Sequence, residues 1–383
     1  MPPGAPLPAA SECPAYADVR EAIHAGGGWI SFARYMDLAL FAPGVGYYTG
    51  GQRQFGSAGD FVTASGISGL FGACLARQVA QVLEASAPAV IEFGAGNGRL
   101  AADLLNALGD RVQRYEIVEL SPALRALQAA TIRDGAPAFA ARVGWRDTLP
   151  QAFRGCIVAN EVLDAMPVHL MAWTAGGIFE RGVICEGDGF AYADRPAEGE
   201  CAAAARALAS RHALPPADLP YISELNLASR GWMRSLAGFM DRGAALLIDY
   251  GFPAREYYHP QRDRGTLIGH FRHRTLEDVL ALPGLADITA HVDFSSLADA
   301  GCDAGLDLLG YASQAGFLID CGITDLLAAT SAGDARAYLP LANQANRLLS
   351  SAEMGELFKV MAVGRGIADP LLGFARCDRR HAL

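Results

Sequence analysis

Lysine is almost absent from this 383-residue chain, whose single lysine is Lys359 and whose other positive charges are thinly spread arginines. The formal net charge at pH 7 is −10, and the isoelectric point is near 5.3. A nucleic-acid-binding protein usually presents a basic face, so the composition predicts no nucleic-acid partner. The acidity suits a cationic partner, such as an arginine- or lysine-bearing protein segment, although solubility alone explains it equally well.

Paired cysteines and long apolar runs are also missing. The eight cysteines are scattered singly, without C-x-x-C spacing, and none stands beside a second metal ligand in a recognisable pattern. Such cysteines are typical of reduced, mostly buried thiols, and they predict neither disulfides nor a metal site. No apolar run reaches 18 residues, so we expect no transmembrane helix and no membrane insertion.

The first twenty residues lack the apolar core of a signal peptide and the arginine-rich character of a transit peptide. We therefore expect a cytoplasmic protein with a disordered tail over residues 1–17. A helical segment packing on the core is predicted for 18–86, with one amphipathic helix at Phe32–Phe41.

From Pro88 onwards, strand and helix patterns alternate, which predicts βαβ units and a parallel sheet in an α/β fold. This core is expected over 87–383, with excursions at about 190–240 and 253–290. A helix is predicted near Ser223–Gly238. The predicted core strands are Ala89–Phe93, Tyr115–Glu119, Ala141–Trp145, Cys156–Asn160 and Ala244–Asp249.

The stretch VIEFGAGNGRL contains the strongest local motif, in which a buried strand ends and a glycine-rich turn opens a helix. Its candidate cofactor-binding residues are Glu92, Gly94, Ala95, Gly96 and Gly98. Glycine permits positive φ angles and lets a ligand approach the backbone closely. The spacing is E-x-G-x-G-x-G, which differs from the dinucleotide G-x-G-x-x-G, and no G-K-[ST] follows to form a phosphate-binding loop. A tight turn alone would also explain the glycines.

Glu119 ends the second predicted strand, 25 residues after Gly94. In doubly wound folds, an acid at this place accepts hydrogen bonds from both ribose hydroxyls of a bound nucleoside. Together with the glycine spacing, it favours S-adenosyl-L-methionine over NAD. Ser121 is a further candidate contact of the same cofactor.

Several blocks occur in the order in which they stand in the MidA-like methyltransferases, and the chain resembles that family from about Asp18 to Gly373. The resemblance implies a Rossmann-like class I methyltransferase core, with a mostly parallel seven-stranded sheet and added helical and lid elements. One departure is visible, because the text around Gly265–Gly284 differs from that usual in the family. The blocks are ISFARYMDLALFAPGVGYY, FGSAGDFVTASGISGLFG, IEFGAGNGRLAADLL, YEIVELSPALRALQ, ANEVLDAMPV, LLIDYGF, GTLIGHFRHR, DITAHVDFSSL and MGELFKVMAVGRG.

Mitochondrial members of that family are assembly factors for respiratory complex I and resemble protein arginine methyltransferases. The resemblance therefore implies a protein substrate that presents an arginine, with a complex I subunit or its bacterial counterpart as the candidate. Two alternatives stay open: transfer to another small-molecule or protein acceptor, and a non-catalytic assembly chaperone that keeps the fold. The sequence leaves the oligomeric state open.

The segment ANEVLDAMP follows the fourth core strand, where the class I fold faces the methyl donor. Glu161 and Asp164 offer two carboxylates, which would share one face if the segment were helical. Carboxylates suit a guanidinium, because they clamp it through paired hydrogen bonds and localise its charge. Both are candidate catalytic residues. Asn160 is a candidate contact of the donor, and a capped local turn is the structural alternative.

Weaker candidates complete the site. Asp60 and Thr63 could contact the donor, and Trp145 and Asp147 could stack on and hydrogen-bond its adenine. His291 could relay a proton, although a structural histidine explains it as well.

Overall fold

The computed structural model describes residues 7–50, 64–212, 214, 220–272, 274–331 and 333–383, so Asp60 and Thr63 lie outside the described residues. The chain forms two compact units. The first unit comprises Met1–Phe61, Asp164–Ser229 and Arg255–His291. The second unit comprises Val62–Leu163, Arg230–Ala254 and Val292–Leu383.

The described residues form helices and strands that we number in chain order. The α-helices, α1 to α13, are Tyr16–Ala25, Phe32–Phe41, Ala64–Ile67, Gly69–Ala85, Arg99–Leu108, Pro122–Gly135, Gly199–His212, Leu227–Phe239, Ala254–Tyr257, Phe294–Asp303, Gln314–Asp320, Ile323–Ala328 and Ala335–Leu349. The strands, β1 to β16, are Ile30–Ser31, Ala89–Phe93, Arg114–Val118, Val143–Arg146, Phe153–Asn160, His169–Thr174, Gly177–Glu186, Gly189–Pro196, Tyr221–Leu225, Met240–Phe252, Ile268–Phe271, Arg274–Leu276, Asp287–Thr289, Val292–Asp293, Asp307–Ser313 and Phe358–Arg365.

The second unit contains a sheet whose main path is β15-β16-β10-β5-β2-β3-β4, with β14 added beside β10. Strands β10, β5, β2, β3 and β4 pair in parallel, and β16 is antiparallel to both of its neighbours. Every residue of β2 is buried, as expected for a parallel strand covered by helices on both faces. The predicted Rossmann-like class I fold, with its mostly parallel seven-stranded sheet, is confirmed.

The core of the second unit follows from simple sequence patterns. Helix α5 turns Leu100, Leu104 and Leu105 inward at helical spacing, and all three are almost fully buried. Strand β10 has a continuous apolar run that pairs with β5 on one side and β16 on the other. Strands that pair in parallel have their carboxyl ends at one edge of the sheet, which is where ligands of such folds bind.

The first unit contains an antiparallel sheet along the path β1-β7-β6-β9, with β8 paired to β7, and a three-stranded sheet β12-β11-β13. Strands β6 and β7 form a hairpin, in which Thr174 pairs with Gly177 beside the turn. Within this unit the carboxylate of Glu224 on β9 accepts the backbone N–H groups of Thr266 and Leu267 and the hydroxyl of Tyr257. Glu224 thereby fixes the segment between α9 and β11 to the sheet.

Three sequence predictions differ from the structure. The helix expected from Ser223 begins only at Leu227, because the preceding residues pair with β6 as strand β9. The tail expected over residues 1–17 is ordered over its described second half, where Ala10–Glu12 forms a 3₁₀ helix and Cys13 is buried. The boundary expected at residue 86 is also displaced, since α4 belongs to the second unit and α1 and α2 to the first.

None of the helices within the described ranges is long and apolar enough to cross a membrane.

Candidate active site

The glycine-rich turn stands at the carboxyl end of β2. Gly94, Gly96 and Gly98 have φ angles of 60°, 52° and 83°, which are left-handed values that favour glycine. A Cβ atom on Gly98 would lie 2.9 Å from the backbone of Gln128. The chain therefore passes so close to the neighbouring helix at Gly98 that a side chain would clash there. Ala95 is buried between them. Gly94 is exposed, and a Cβ atom there would lie 3.0 Å from the side chain of Val162, so a larger residue would be crowded as well as strained. The turn ends at Gly98, where α5 begins.

Gln128 on α6 joins three parts of the site. Its side-chain amide donates to the carbonyl of Gly96 at 3.0 Å and to Oε2 of Glu119 at 3.2 Å, while its oxygen accepts the indole N–H of Trp145 at 2.8 Å. The side chain is fully buried. Sequence reasoning missed Gln128, although a glutamine on the inward face of an amphipathic helix is a signal that it has polar partners to satisfy.

Glu119 lies directly after β3, with its backbone N–H bonded to the carbonyl of Arg146. Its Oε1 accepts the backbone N–H of Ser121 at 2.9 Å, and Oε2 accepts from Gln128. Since a carboxylate offers about four acceptor positions, two remain for the hydroxyls of a ribose. Ser121 itself caps α6 through its hydroxyl and is buried, so its side chain serves the helix.

Trp145 and Asp147 differ in their surroundings. Trp145, on β4, is half-buried and packs against the core of the second unit while its indole N–H is bonded to Gln128. Asp147 follows the strand and is exposed to solvent. The structure thus brings Trp145 into the same network as Glu119 and the glycine turn, whereas Asp147 has no contact with that network among the described residues.

Glu92, at the fourth position of β2, is buried, and its carboxylate accepts the hydroxyl of Tyr115 at 2.7 Å. Burial raises the pKa of Glu92 to about 7, and the hydrogen bond from Tyr115 offsets only part of that rise. The side chain is therefore part of the strand packing below the glycine turn.

Asn160 ends β5, and Glu161 follows with a φ of 54°, an uncommon left-handed value for a residue other than glycine. The side-chain amide of Asn160 donates to Oε1 of Glu161 at 3.1 Å. Among the described residues, the buried Oδ1 atom of Asn160 has no hydrogen-bond partner, which leaves a buried acceptor for a ligand donor.

The segment after Asn160 is not helical, so the condition under which Glu161 and Asp164 would share one face is not met. The physical reason is Asp249 on β10, a buried acid that sequence reasoning did not select. Its Oδ2 accepts the backbone N–H groups of Val162 at 3.2 Å and Leu163 at 2.9 Å. These bonds hold the chain in a sharp turn that places Glu161 in its left-handed conformation.

Asp164 and His291 belong to the first unit. Asp164 is buried, and its backbone carbonyl accepts the N–H of Ala290 at 3.0 Å. His291 is half-buried, and its backbone N–H donates to the hydroxyl of Thr266. Near Asp164, the hydroxyl of Tyr48 donates to the buried Asp287 at 2.9 Å, and desolvation with both carboxylates raises the pKa of Tyr48.

The second unit fits an adenosyl cofactor. It presents a glycine turn that accepts close approach, an acid with ribose-binding capacity at the next strand, and the buried acceptor Oδ1 of Asn160. Gly94, Gly96, Glu119 and Asn160 would hold the group. The positions of Asp60 and Thr63 lie outside the described residues.

Comparisons with known proteins agree with this geometry. Residues 74–312, well over half of the chain, match the family of S-adenosyl-L-methionine-dependent methyltransferases. A Burkholderia thailandensis protein, whose crystal structure contains S-adenosyl-homocysteine, is 51% identical; the match covers 99% of this chain and 100% of that one, with a TM-score of 0.92.

Curated relatives are more distant. The protein arginine methyltransferase NDUFAF7 of Danio rerio mitochondria is 30% identical over 88% of this chain and 83% of its own length. The Mus musculus protein of the same name is 31% identical over 88% and 81%. The chain therefore belongs to the MidA-like family of S-adenosyl-L-methionine-dependent methyltransferases, and S-adenosyl-L-methionine is its cofactor.

Proposed function

We propose that this enzyme transfers a methyl group to an arginine side chain of a protein, with a subunit of respiratory complex I or its bacterial counterpart as the acceptor. The observation that carries the proposal is the carboxylate of Glu161, held at the end of β5 in a left-handed conformation. Strained backbone of this kind persists where surrounding contacts impose it, and it is concentrated at functional sites.

The acceptor chemistry requires a carboxylate. A guanidinium has a pKa above ~12 and carries its charge over three nitrogens, so it is a poor nucleophile. Paired hydrogen bonds to a carboxylate fix its plane and localise the charge, which leaves one nitrogen to attack. When bound, S-adenosyl-L-methionine supplies an electrophilic methyl group on a sulfonium sulfur.

Residues of this chain would then orient the acceptor and take up its proton. An acceptor nitrogen that takes the methyl group would have to lose one proton, which a residue of this chain would take up. Glu161 is the proposed clamp, and the roles expected from the sequence for Asp164, as a second carboxylate, and for His291, as a proton relay, stay predictions.

The identity of the acceptor is supported by the names of the relatives and by charge. The curated relatives are called protein arginine methyltransferases, at about the 30% identity given above. The net charge of −10 favours association with a cationic segment. Lysine would be served less well, because its ammonium cannot use both carboxylate oxygens in one plane and must lose its proton before it attacks.

A methyl-transfer assay tests the proposal. The purified protein is incubated with labelled S-adenosyl-L-methionine and purified complex I subunits, and the labelled residue is identified by mass spectrometry. We expect label on one arginine, no label when that arginine is replaced by lysine, and little label with the Glu161→Gln variant.

Two results would contradict the proposal. Strong labelling of the lysine-substituted subunit would exclude a guanidinium-specific site. Label appearing only on small molecules of a cell extract would favour the alternative acceptor class. Full transfer to arginine by Glu161→Gln would agree with arginine methylation as the reaction but would exclude Glu161 as the clamp of the acceptor.

A further inference from the structure

Three side chains with metal-binding atoms converge in the first unit. They are His169 on β6, Glu180 on β7 and Cys201 in the first turn of α7. Nδ1 of His169 lies 2.7 Å from Oε1 of Glu180 and 3.3 Å from Sγ of Cys201, and all three donor atoms lie within 4.8 Å of one another. We propose that this cluster binds a zinc ion through the imidazole, the carboxylate and the thiolate.

Hydrogen bonding alone serves this arrangement poorly. Both polar neighbours approach the same nitrogen, Nδ1, which carries at most one hydrogen. One hydrogen cannot point well at both an oxygen and a sulfur, because a hydrogen bond weakens steeply as its angle closes. A relay of catalytic type would instead use both ring nitrogens, with one partner on each. Convergence of three donors on one point is the arrangement that a metal ion satisfies.

The donor types favour zinc among common divalent ions. Zinc binds cysteine sulfur, histidine nitrogen and carboxylate oxygen at about 2.0–2.3 Å in a tetrahedral arrangement, which separates neighbouring donor atoms by about 3.3–3.8 Å. The sulfur–nitrogen distance of 3.3 Å is already at that range, whereas the nitrogen–oxygen distance of 2.7 Å would have to lengthen. Magnesium and calcium prefer oxygen donors only, so the thiol and the imidazole disfavour them.

The three donors stand on elements that are fixed independently of any ion. Strands β6 and β7 pair directly, with Met171 opposite Glu180. Helix α7 packs its Ala202 and Ala205 inward, and the indole N–H of Trp173 on β6 donates to the carbonyl of Ala205 at 3.1 Å. Because the backbone is held elsewhere, substitution of a donor should leave the fold intact.

The accessibility of the cluster suits an exchangeable ion. The side chains of His169 and Glu180 are 22% and 14% exposed, and Cys201 is 9% exposed. The donors are thus largely shielded from water, which strengthens their attraction to a cation, yet they can be reached from the surface. Three protein donors leave a fourth tetrahedral position for water. Such an ion would join α7 to the β6–β7 pair and stabilise the first unit by binding its folded state.

The sequence gives no signal of this site, because its donors match no short metal-binding motif. His169 and Glu180 are 11 positions apart, and Glu180 and Cys201 are 21 positions apart. Antiparallel pairing of β6 with β7 and the return of α7 over the sheet bring them together.

Metal titration of the full chain tests the proposal. The protein is first treated with a chelator and dialysed, and zinc is then added in competition with a chromophoric chelator. We expect one zinc ion per chain, a higher melting temperature with zinc, and no comparable effect of magnesium. Substitution of cobalt should give a thiolate-to-metal charge-transfer absorption in the near ultraviolet, a signature that needs no variant.

Matched variants locate the ion. Cys201→Ser and His169→Ala should weaken zinc binding by more than the roughly 10–100-fold that loss of an outer-shell partner costs. Cys302→Ser removes an exposed thiol in the second unit and should bind zinc like the unmodified protein. Circular dichroism verifies folding of each variant. Absence of stoichiometric zinc binding, bound cobalt without a thiolate absorption, or unchanged affinity in Cys201→Ser would each overturn the proposal.

Discussion

The buried carboxylate of Asp249 accepts the backbone N–H of Leu163 at 2.9 Å, and the same oxygen accepts the N–H of Val162. Its other oxygen accepts the N–H of Tyr250. One side chain thus satisfies two donors of the turn after Glu161 and one of its own strand. Because a buried N–H without an acceptor is costly, Asp249 determines the conformation of that turn.

Asp249→Asn should therefore damage catalysis while sparing the cofactor site. One carboxylate oxygen becomes an NH₂ group, which must face at least one backbone N–H and cannot accept from it. We expect methyl transfer to fall about tenfold or more, with S-adenosyl-L-methionine affinity within a few-fold of normal, and a loss of about 1–3 kcal/mol in the free energy of unfolding. Calorimetry with the donor and a labelled-methyl assay separate the two effects.

The control for that change is Asp241→Asn, which alters an exposed acid on the same strand. It should change neither methyl transfer nor the affinity for S-adenosyl-L-methionine. Equal activity of the two variants would show that the turn keeps its conformation without the carboxylate. A large loss of donor affinity in Asp249→Asn would instead connect this acid to the cofactor.

Gln128→Met should weaken donor binding. The substitution keeps the volume but removes the bonds to Gly96, Glu119 and the indole N–H of Trp145. Glu119 then loses the partner that orients it towards a ribose. We expect about a tenfold rise in the dissociation constant of S-adenosyl-homocysteine, equivalent to about 1.4 kcal/mol, measured by calorimetry.

Leu127→Ala is the matched control, because that neighbouring side chain is largely exposed on the same helix. If Gln128→Met and Leu127→Ala bind the ligand as tightly as the unmodified chain, Gln128 has only a packing role and the orientation of Glu119 is fixed by Ser121.

The contrast between Glu119 and Glu161 shows what the sequence could predict. The strand, glycine turn, helix and acid around Gly94 and Glu119 form one local βαβ pattern, whose spacing is set by neighbouring residues. The turn at Glu161 depends on Asp249, whose bonded partner Leu163 lies 86 positions earlier. The sequence places Glu161 directly after a buried strand, as the structure does, but its conformation is imposed by a distant side chain. A periodicity argument cannot contain that information.

Gln128 illustrates the same limit on a smaller scale. The three partners of its side chain come from strand β4 and from the loops after β2 and β3, so only the folded arrangement assigns them. Sequence patterns indicate which elements form, whereas the partners of buried polar groups are fixed by tertiary contacts.

The buried Glu92 should make stability depend on pH. Its pKa is raised from 4.5 to about 7 in the folded protein, so between these values the folded state binds more protons than the unfolded state. Stability contributed by this group is therefore fully present below about pH 4.5 and is lost as pH rises to about 7, by ~3 kcal/mol at most. Glu92→Gln keeps an acceptor for Tyr115 and should remove this contribution.

Thermal unfolding at several pH values between 5 and 8 measures the effect. We expect the melting temperature of Glu92→Gln, relative to the unmodified protein, to rise with increasing pH over that range. Glu84→Gln, a substitution on the largely exposed end of α4, serves as the control and should show a constant difference. A constant difference for Glu92→Gln as well would mean that Glu92 keeps an ordinary pKa.

Glu161→Gly separates the structural and catalytic contributions of the most strained residue of the site. Glycine adopts a φ of 54° without steric cost, so the substitution relieves local strain while it adds freedom to the unfolded chain. These effects oppose each other, and we expect the free energy of unfolding to change by less than about 1 kcal/mol. Methyl transfer to the protein acceptor should fall about a hundredfold or more, because the clamping carboxylate is gone.

Arg272→Gly provides the comparison, since Arg272 has a φ of 50° and is the other non-glycine residue with a positive φ in the described ranges. It should show a similarly small change in stability but keep methyl transfer within a few-fold. Denaturant unfolding and the labelled-methyl assay are carried out on both variants. A loss of several kcal/mol in Glu161→Gly would show that the side chain holds the fold, and retained activity would show that methyl transfer does not need the carboxylate of Glu161. Stability kept and activity lost, in Glu161→Gly alone, is the result that assigns the carboxylate of this residue to catalysis.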